Sequence, residues 1–89
     1  MLLFLIIYDV SDDRRRNKLA KVLEGYGTRV QYSAFECWLD LVQYNNMISD
    51  IEKISHKEDS IRVYLLDKEG MSVGKNMSIT FMKTDLYIV

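Results

Sequence analysis

Asp9 stands where an apolar run ends. Leu2–Leu3–Phe4–Leu5–Ile6–Ile7 leads into Tyr8 and Asp9, and Arg14–Arg15–Arg16 follow shortly after. A carboxylate is a natural ligand for a hard cation such as Mg²⁺ or Mn²⁺. Guanidinium groups grip phosphate with a planar, two-pronged fork. The two together point to phosphodiester chemistry or nucleic-acid binding. Mg²⁺ commonly needs only one or two protein carboxylates when a phosphate completes its shell. It would lower the pKa of a bound water toward ~7 and neutralise charge building on the phosphate. The plain alternative is an Asp9 that caps a turn or pairs with a nearby arginine, and on the residues alone the two readings stand even. No histidine lies near this segment, so a histidine-based ribonuclease mechanism has no support.

The arginines divide by helical geometry. Arg15 and Arg16 lie four and three residues before Leu19, so they flank an apolar stripe and should overhang the sheet end near Asp9. Arg14, Lys18 and Lys21 point outward, as a solvated face or as contacts to a DNA backbone. Asp12–Arg16 and Asp13–Arg16 pairs would be worth only ~0.2–0.5 kcal/mol each. Arg16 and Arg29 are the phosphate-clamp candidates. Tyr8 is read first as sheet core, with roles in orienting Asp9 or touching the scissile bond as alternatives. Phe35 is by type a packing residue, Asp12 a helix cap, and His56 a surface residue at a helix end.

These side chains need elements to hold them. The short run from Leu2 to Asp9, rich in Ile, Leu and Phe, reads as a central strand buried on both faces. Asp12 or Ser11 caps a helix to about Gly25, with Leu19, Val22, Leu23 and Tyr26 as its stripe. Gly25 and Gly27 can supply a left-handed stop. Thr28 to Leu39 alternates, as Val30, Tyr32, Ala34 and then Phe35, Cys37, Leu39. The phase slips at Ala34–Phe35, which means either a bulge or a tight hairpin. Asp40 and Gln43 make a capping box for a second helix with Leu41, Tyr44, Ile48, Ile51 and Ile54 on one face. Ile61 to Leu66 is a further strand. The order is β-α-β-β-α-β, a split βαβ or ferredoxin-like α+β plan. Segments 77–82 and 86–89 read as extended additions to a sheet edge, the chain's own or a partner's.

Composition narrows the class. The 89 residues, 48% of them hydrophobic, suit a single small folded domain over 1–89, with dimerisation a way to finish the core. A net charge of −1 exerts no global pull on nucleic acid, so binding must come from local clusters of the 12 basic residues. The single cysteine, Cys37, reads as a buried filler in a reducing cytoplasm. The N-terminal apolar run lacks a basic leader and is too short to span a bilayer, so neither export nor a membrane is expected.

At this point a likeness emerges. Tyr8–Asp9–Val10–Ser11–Asp12–Asp13–Arg14–Arg15–Arg16, then Gly25–Tyr26–Gly27, then Arg29–Val30–Gln31–Tyr32–Ser33–Ala34–Phe35–Glu36–Cys37 closely resemble the CRISPR-associated protein two family. The likeness is dense over about the first 40 residues and looser to the end. It implies a ferredoxin-like homodimer whose C-terminal strand, within 77–89, packs on the partner subunit. It also implies a metal-dependent endonuclease acting on single-stranded RNA or double-stranded DNA, and a scaffold between dimers of the CRISPR integrase, CRISPR-associated protein one. By resemblance Asp9 binds Mg²⁺ (or Mn²⁺), and Tyr8 is catalytic with it. Arg16, Arg29 and Phe35 match positions tied to activity or substrate contact, and Lys18 occupies a contact position that is usually basic. Arg14 joins them as a nucleic-acid contact.

Competing readings are a non-catalytic DNA-binding scaffold, a virulence-associated D-type toxin ribonuclease, and a small-molecule regulatory module, since the fold hosts many functions.

Overall fold

In the computed structural model the apolar run forms β1 (Leu2–Asp9), the innermost of four antiparallel strands. Side chains are described for residues 1–66, and backbone also for 67–68, 71–72, 79–80 and 86–88. After β1 come α1 (Asp13–Glu24), β2 (Thr28–Gln31), β3 (Ala34–Leu39), α2 (Leu41–Ile54) and β4 (Ser60–Lys68). The sheet order is β2-β3-β1-β4, so the expected β-α-β-β-α-β sequence of elements is present in a mixed α+β domain. Beyond it, β5 (Met71–Ser72) pairs antiparallel with β4, β7 (Leu86–Ile88) runs parallel to β4, and β6 (Ile79–Thr80) pairs with β7. The expectation that 77–89 packs on a second copy concerns a segment of which only Ile79–Thr80 and Leu86–Ile88 lie among the described residues.

One face of the sheet carries the helices. Phe4, Ile6 and Tyr8 alternate toward that face and are buried with Phe35, Cys37 and Leu39 of β3 and Ile61 and Val63 of β4. Leu19, Ala20 and Leu23 of α1 and Met47, Ile48 and Ile51 of α2 close the layer. Phe4 stacks on Tyr44 with ring centroids 4.6 Å apart, which ties α2 to the innermost strand. Tyr26, at the end of α1, donates its hydroxyl to Asp50 Oδ2 at 2.6 Å and so joins the two helices. That hydrogen bond, reinforced by partial burial, pushes the Tyr26 hydroxyl up to about 12.

Several local expectations change against the structure. Asp12 is the cap of α1, accepting from the Arg15 backbone N–H at 2.9 Å. The glycines after α1 are not a left-handed stop: Gly25 has φ −76°. Gly27 serves a close approach instead, since a Cβ there would stand 2.2 Å from the Glu36 carbonyl oxygen and 2.4 Å from Cys37 Sγ. The phase slip resolves into both of its alternatives. Tyr32 and Ser33 form a two-residue turn between β2 and β3, and β2 has a register shift between Arg29 and Gln31. As a result Val30 and Tyr32 are exposed rather than inward-facing.

In α2 both bonds of the Asp40–Gln43 capping box are present. Its inward face centres on Met47, however, whereas Leu41, at the first helical position, is 64% exposed.

Candidate nucleic-acid interface and metal carboxylate

Alternation along β1 sends Asp9 to the sheet face opposite Tyr8. Leu3, Leu5 and Ile7 share that face with it, and no helix covers them. Asp9 is exposed, opposite Ser60 of β4 in register. Among the described residues its carboxylate makes no hydrogen bond or ion pair. Turn-capping and arginine-pairing, the two plain roles for this residue, are filled by its neighbours Asp12 and Asp13 instead. An exposed carboxylate with both oxygens free suits a hard divalent cation. Among the described residues no group of three or more His, Cys, Asp or Glu side chains could hold a metal.

The two clamp candidates meet at the same end of the sheet. The turn after β2 is tied to the end of β1, because the Tyr8 N–H donates to the Ser33 carbonyl at 3.1 Å and the Tyr8 hydroxyl to the Tyr32 carbonyl at 3.3 Å. Arg29 donates to the Tyr8 hydroxyl at 3.4 Å, and its guanidinium carbon lies 5.3 Å from the Phe35 ring centroid. Arg16 donates to the Val10 carbonyl at 3.0 Å and pairs with Asp13. The guanidiniums of Arg16 and Arg29 lie 5.8 Å and 6.0 Å from the centroid of the Tyr32 ring. The hydrogen bond to Tyr8 and the nearby acidic groups hold Arg29 above its ordinary range, so its charge is permanent.

Tyr8 and Phe35 support this cluster from beneath. Tyr8 is buried, with its ring 6.3 Å from that of Phe35, so its hydroxyl reaches Arg29 and the turn rather than solvent. Phe35 is 0% exposed. Named above as a nucleic-acid contact, it is corrected by its burial to a support, able to act on a ligand only through Arg29.

Arg15 departs furthest from expectation. Instead of overhanging Asp9 it turns to the loop before β4, where Nε and Nη2 donate to the two oxygens of Asp59 at 3.1 and 2.9 Å. Glu58 adds a contact at 3.3 Å, and the His56 N–H donates to Asp59 Oδ2 at 2.9 Å. Asp59 is 2% exposed. Burial by itself would raise its carboxyl, but the Arg15 guanidinium and the His56 N–H more than compensate, so Asp59 sits below the usual carboxylate range. Arg15 is therefore a fastener and not a phosphate contact.

Arg14, Lys18 and Lys21 lie exposed along α1, without an ion pair among the described residues. The Cys37 thiol is buried and pushed up to about 11, first by desolvation and then by Glu36, which removes it as a nucleophile.

Two residues were missed in the sequence. In the sequence Tyr32 is one position of an alternating strand, although its place three residues after Arg29 in Arg-Val-Gln-Tyr-Ser is a visible signal. Asp59 was one acid in the run Lys57–Glu58–Asp59–Ser60, and nothing in that run marks it as buried.

Comparison with known proteins adds to this geometry. Residues 1–72 match the family described as CRISPR associated protein Cas2. A Synechocystis protein named CRISPR-associated endoribonuclease Cas2 3 is 52% identical over 67 residues, 74% of this chain and 73% of that one. Among solved structures, Streptococcus pyogenes Cas2 at pH 6.5 aligns with a TM-score of 0.69 and 32% identity, covering 81% of this chain and 99% of that one. A chain of a partial Cas6-RT-Cas1–Cas2 complex aligns with a TM-score of 0.68 and 30% identity, covering 86% and 85%.

Proposed function

The chain belongs to the CRISPR-associated protein Cas2 family, and from that premise we propose that it serves CRISPR spacer acquisition as a dimeric, metal-dependent endonuclease and scaffold. The observation that carries the nuclease reading is the exposed, unpartnered Asp9 carboxylate at the same sheet end as Arg16 and Arg29. Asp9 from each of two copies would hold Mg²⁺ or Mn²⁺, with phosphate and water oxygens completing the shell. The chemistry such an ion supplies is a bound water of lowered pKa and neutralisation of charge on the phosphate. Arg16 and Arg29 would clamp the phosphate, and Tyr8 and Phe35 would keep Arg29 in place. The relative named as an endoribonuclease and the Cas1-containing complex support RNA cleavage and Cas1 as a partner, respectively. A cleavage assay on RNA and on duplex DNA tests the reading. Loss of cutting on chelation and its return with added Mg²⁺ is the expected result, and cutting indifferent to chelation overturns it.

The uncovered sheet face supports a second copy as its cover. An antiparallel sheet facing water normally alternates apolar-in with polar-out. Here Leu3, Leu5, Ile7, Trp38 and Tyr64 share the uncovered side, with Ile7 39% and Trp38 46% exposed. A ferredoxin-like homodimer covering that face would place two Asp9 residues on it. Ile7→Lys puts a charge where the isolated chain tolerates one, so it should convert the dimer to monomer in analytical ultracentrifugation. A variant that sediments as the wild-type dimer removes this face from the interface.

A scaffold role without cleavage draws on a different observation. Arg14, Lys18 and Lys21 offer charges unpaired among the described residues along one side of α1, suited to the backbone of duplex DNA.

A further inference from the structure

We infer that the Tyr32 ring, flanked by the Arg16 and Arg29 guanidiniums at the β2–β3 turn, is a stacking platform for one unpaired base of a nucleic-acid strand. The inference deepens the nucleic-acid reading above and rests on it. Tyr32, in the turn between β2 and β3, is 69% exposed, against 46% for Trp38 of β3. A ring so placed contributes nothing to the core of its own chain. The backbone that carries it is nevertheless pinned. Its carbonyl accepts from the buried Tyr8 hydroxyl, the next carbonyl accepts from the Tyr8 N–H, and the turn spans only two residues. A ring carried on a backbone so pinned loses less conformational freedom when something settles on it.

Its neighbours specify what settles there. Two guanidiniums within 6.0 Å of one ring centroid put two positive charges beside a flat π-surface. Their charges are incompletely answered. Arg16 has Asp13, and Arg29 has no ion pair among the described residues. Arg15, by contrast, is fully engaged with Asp59 and Glu58 and takes no part. A ring for stacking with cations for the flanking phosphates is the chemistry that binds an unstacked nucleotide strand. A duplex offers this ring nothing comparable, since its bases are already stacked and it presents phosphates and base edges, not base faces, to the protein. Tyr32 thus separates strands with a free base from fully paired ones. The bare alternative is a ring that merely spaces two arginines, in which case its loss would weaken every phosphate-bearing ligand alike.

The test measures binding of the metal-free protein to a single strand carrying 2-aminopurine, as RNA and as DNA, and to the matching duplex. Tyr32→Leu should weaken both single strands about tenfold, the scale for one lost stacking contact, and shift duplex binding less than about twofold. Quenching of 2-aminopurine should appear with wild type and with Tyr32→Phe and vanish with Tyr32→Leu. A tighter RNA or DNA arm that keeps this pattern supports the platform and names its strand. Equal losses on single strand and duplex, or single-strand binding indifferent to Tyr32→Leu, overturn the platform and leave the nucleic-acid reading intact. Wild type that binds none of the three overturns both.

Discussion

Asp9→Asn should reduce Mg²⁺-dependent cleavage by about 10²–10³-fold while leaving the protein folded. The expected loss follows from removing an anionic ligand worth several kcal/mol to the transition state, each 1.4 kcal/mol being about tenfold in rate. Because Asp9 is exposed and carries no hydrogen bond or ion pair among the described residues, stability should stay within about 0.5 kcal/mol of wild type. Binding should move the other way. Deleting a negative charge at the end of the sheet that holds Arg16 and Arg29 removes repulsion of phosphate, so affinity for nucleic acid should hold or rise. The matched measurement is single-turnover cleavage and equilibrium binding on one preparation, across a Mg²⁺ titration. Cutting at the wild-type rate by the variant sinks the nuclease proposal and leaves the scaffold reading. The reverse split, lost binding with normal melting, would mean that Asp9 organises the arginines instead of a metal. Spacer acquisition that persists with the variant would mark cleavage as dispensable to the biological role.

The second large effect concerns folding. Asp59→Asn keeps an acceptor for the His56 N–H but strips the charge that faces Arg15. The guanidinium then loses its two-pronged partner and keeps only the more exposed Glu58 and Asp12, at a cost of about 2–3 kcal/mol, toward the low end for buried pairs because those anions and some water contact remain. In a domain of this size the melting temperature should drop by roughly 10–20 °C. The pH dependence carries the signature. The folded-state carboxyl is held below its ordinary value, so its stabilisation is fully present above the unfolded-state pKa near 3.8 and is lost as pH falls through the lower folded value. Wild type should therefore lose stability on acidification below about pH 4 more steeply than Asp59→Asn. Parallel melting curves for the two proteins from pH 6 to pH 3 would show that the pair contributes little.

The element order was legible because each element announced itself locally. The run of Leu, Ile and Phe before Asp9, the Asp12 cap, and the Asp40–Gln43 box are signals set within a few residues, and all three appear in the structure. Misreadings fell where a local pattern fits two environments. Leu41 matches the apolar period of α2, yet it sits at the first helical position and is exposed. Gly27 carries the mark of a helix stop, yet its missing Cβ makes room for β3.

The candidate site divides along the same line. By itself the sequence determined that a carboxylate ends the innermost strand with arginines nearby, since covalent order alone places Asp9 after the apolar run and Arg16 one helical turn into α1. Tertiary structure alone decided which arginines remain available. The i-to-i+3 rules of a helix cannot see an Asp59 forty-four residues away that claims Arg15, or a hairpin that carries Arg29 and Tyr32 to Arg16. It also separated Tyr8 from Asp9, because alternation on a strand sends neighbours to opposite faces, and only the packing of the helices determines which face is buried.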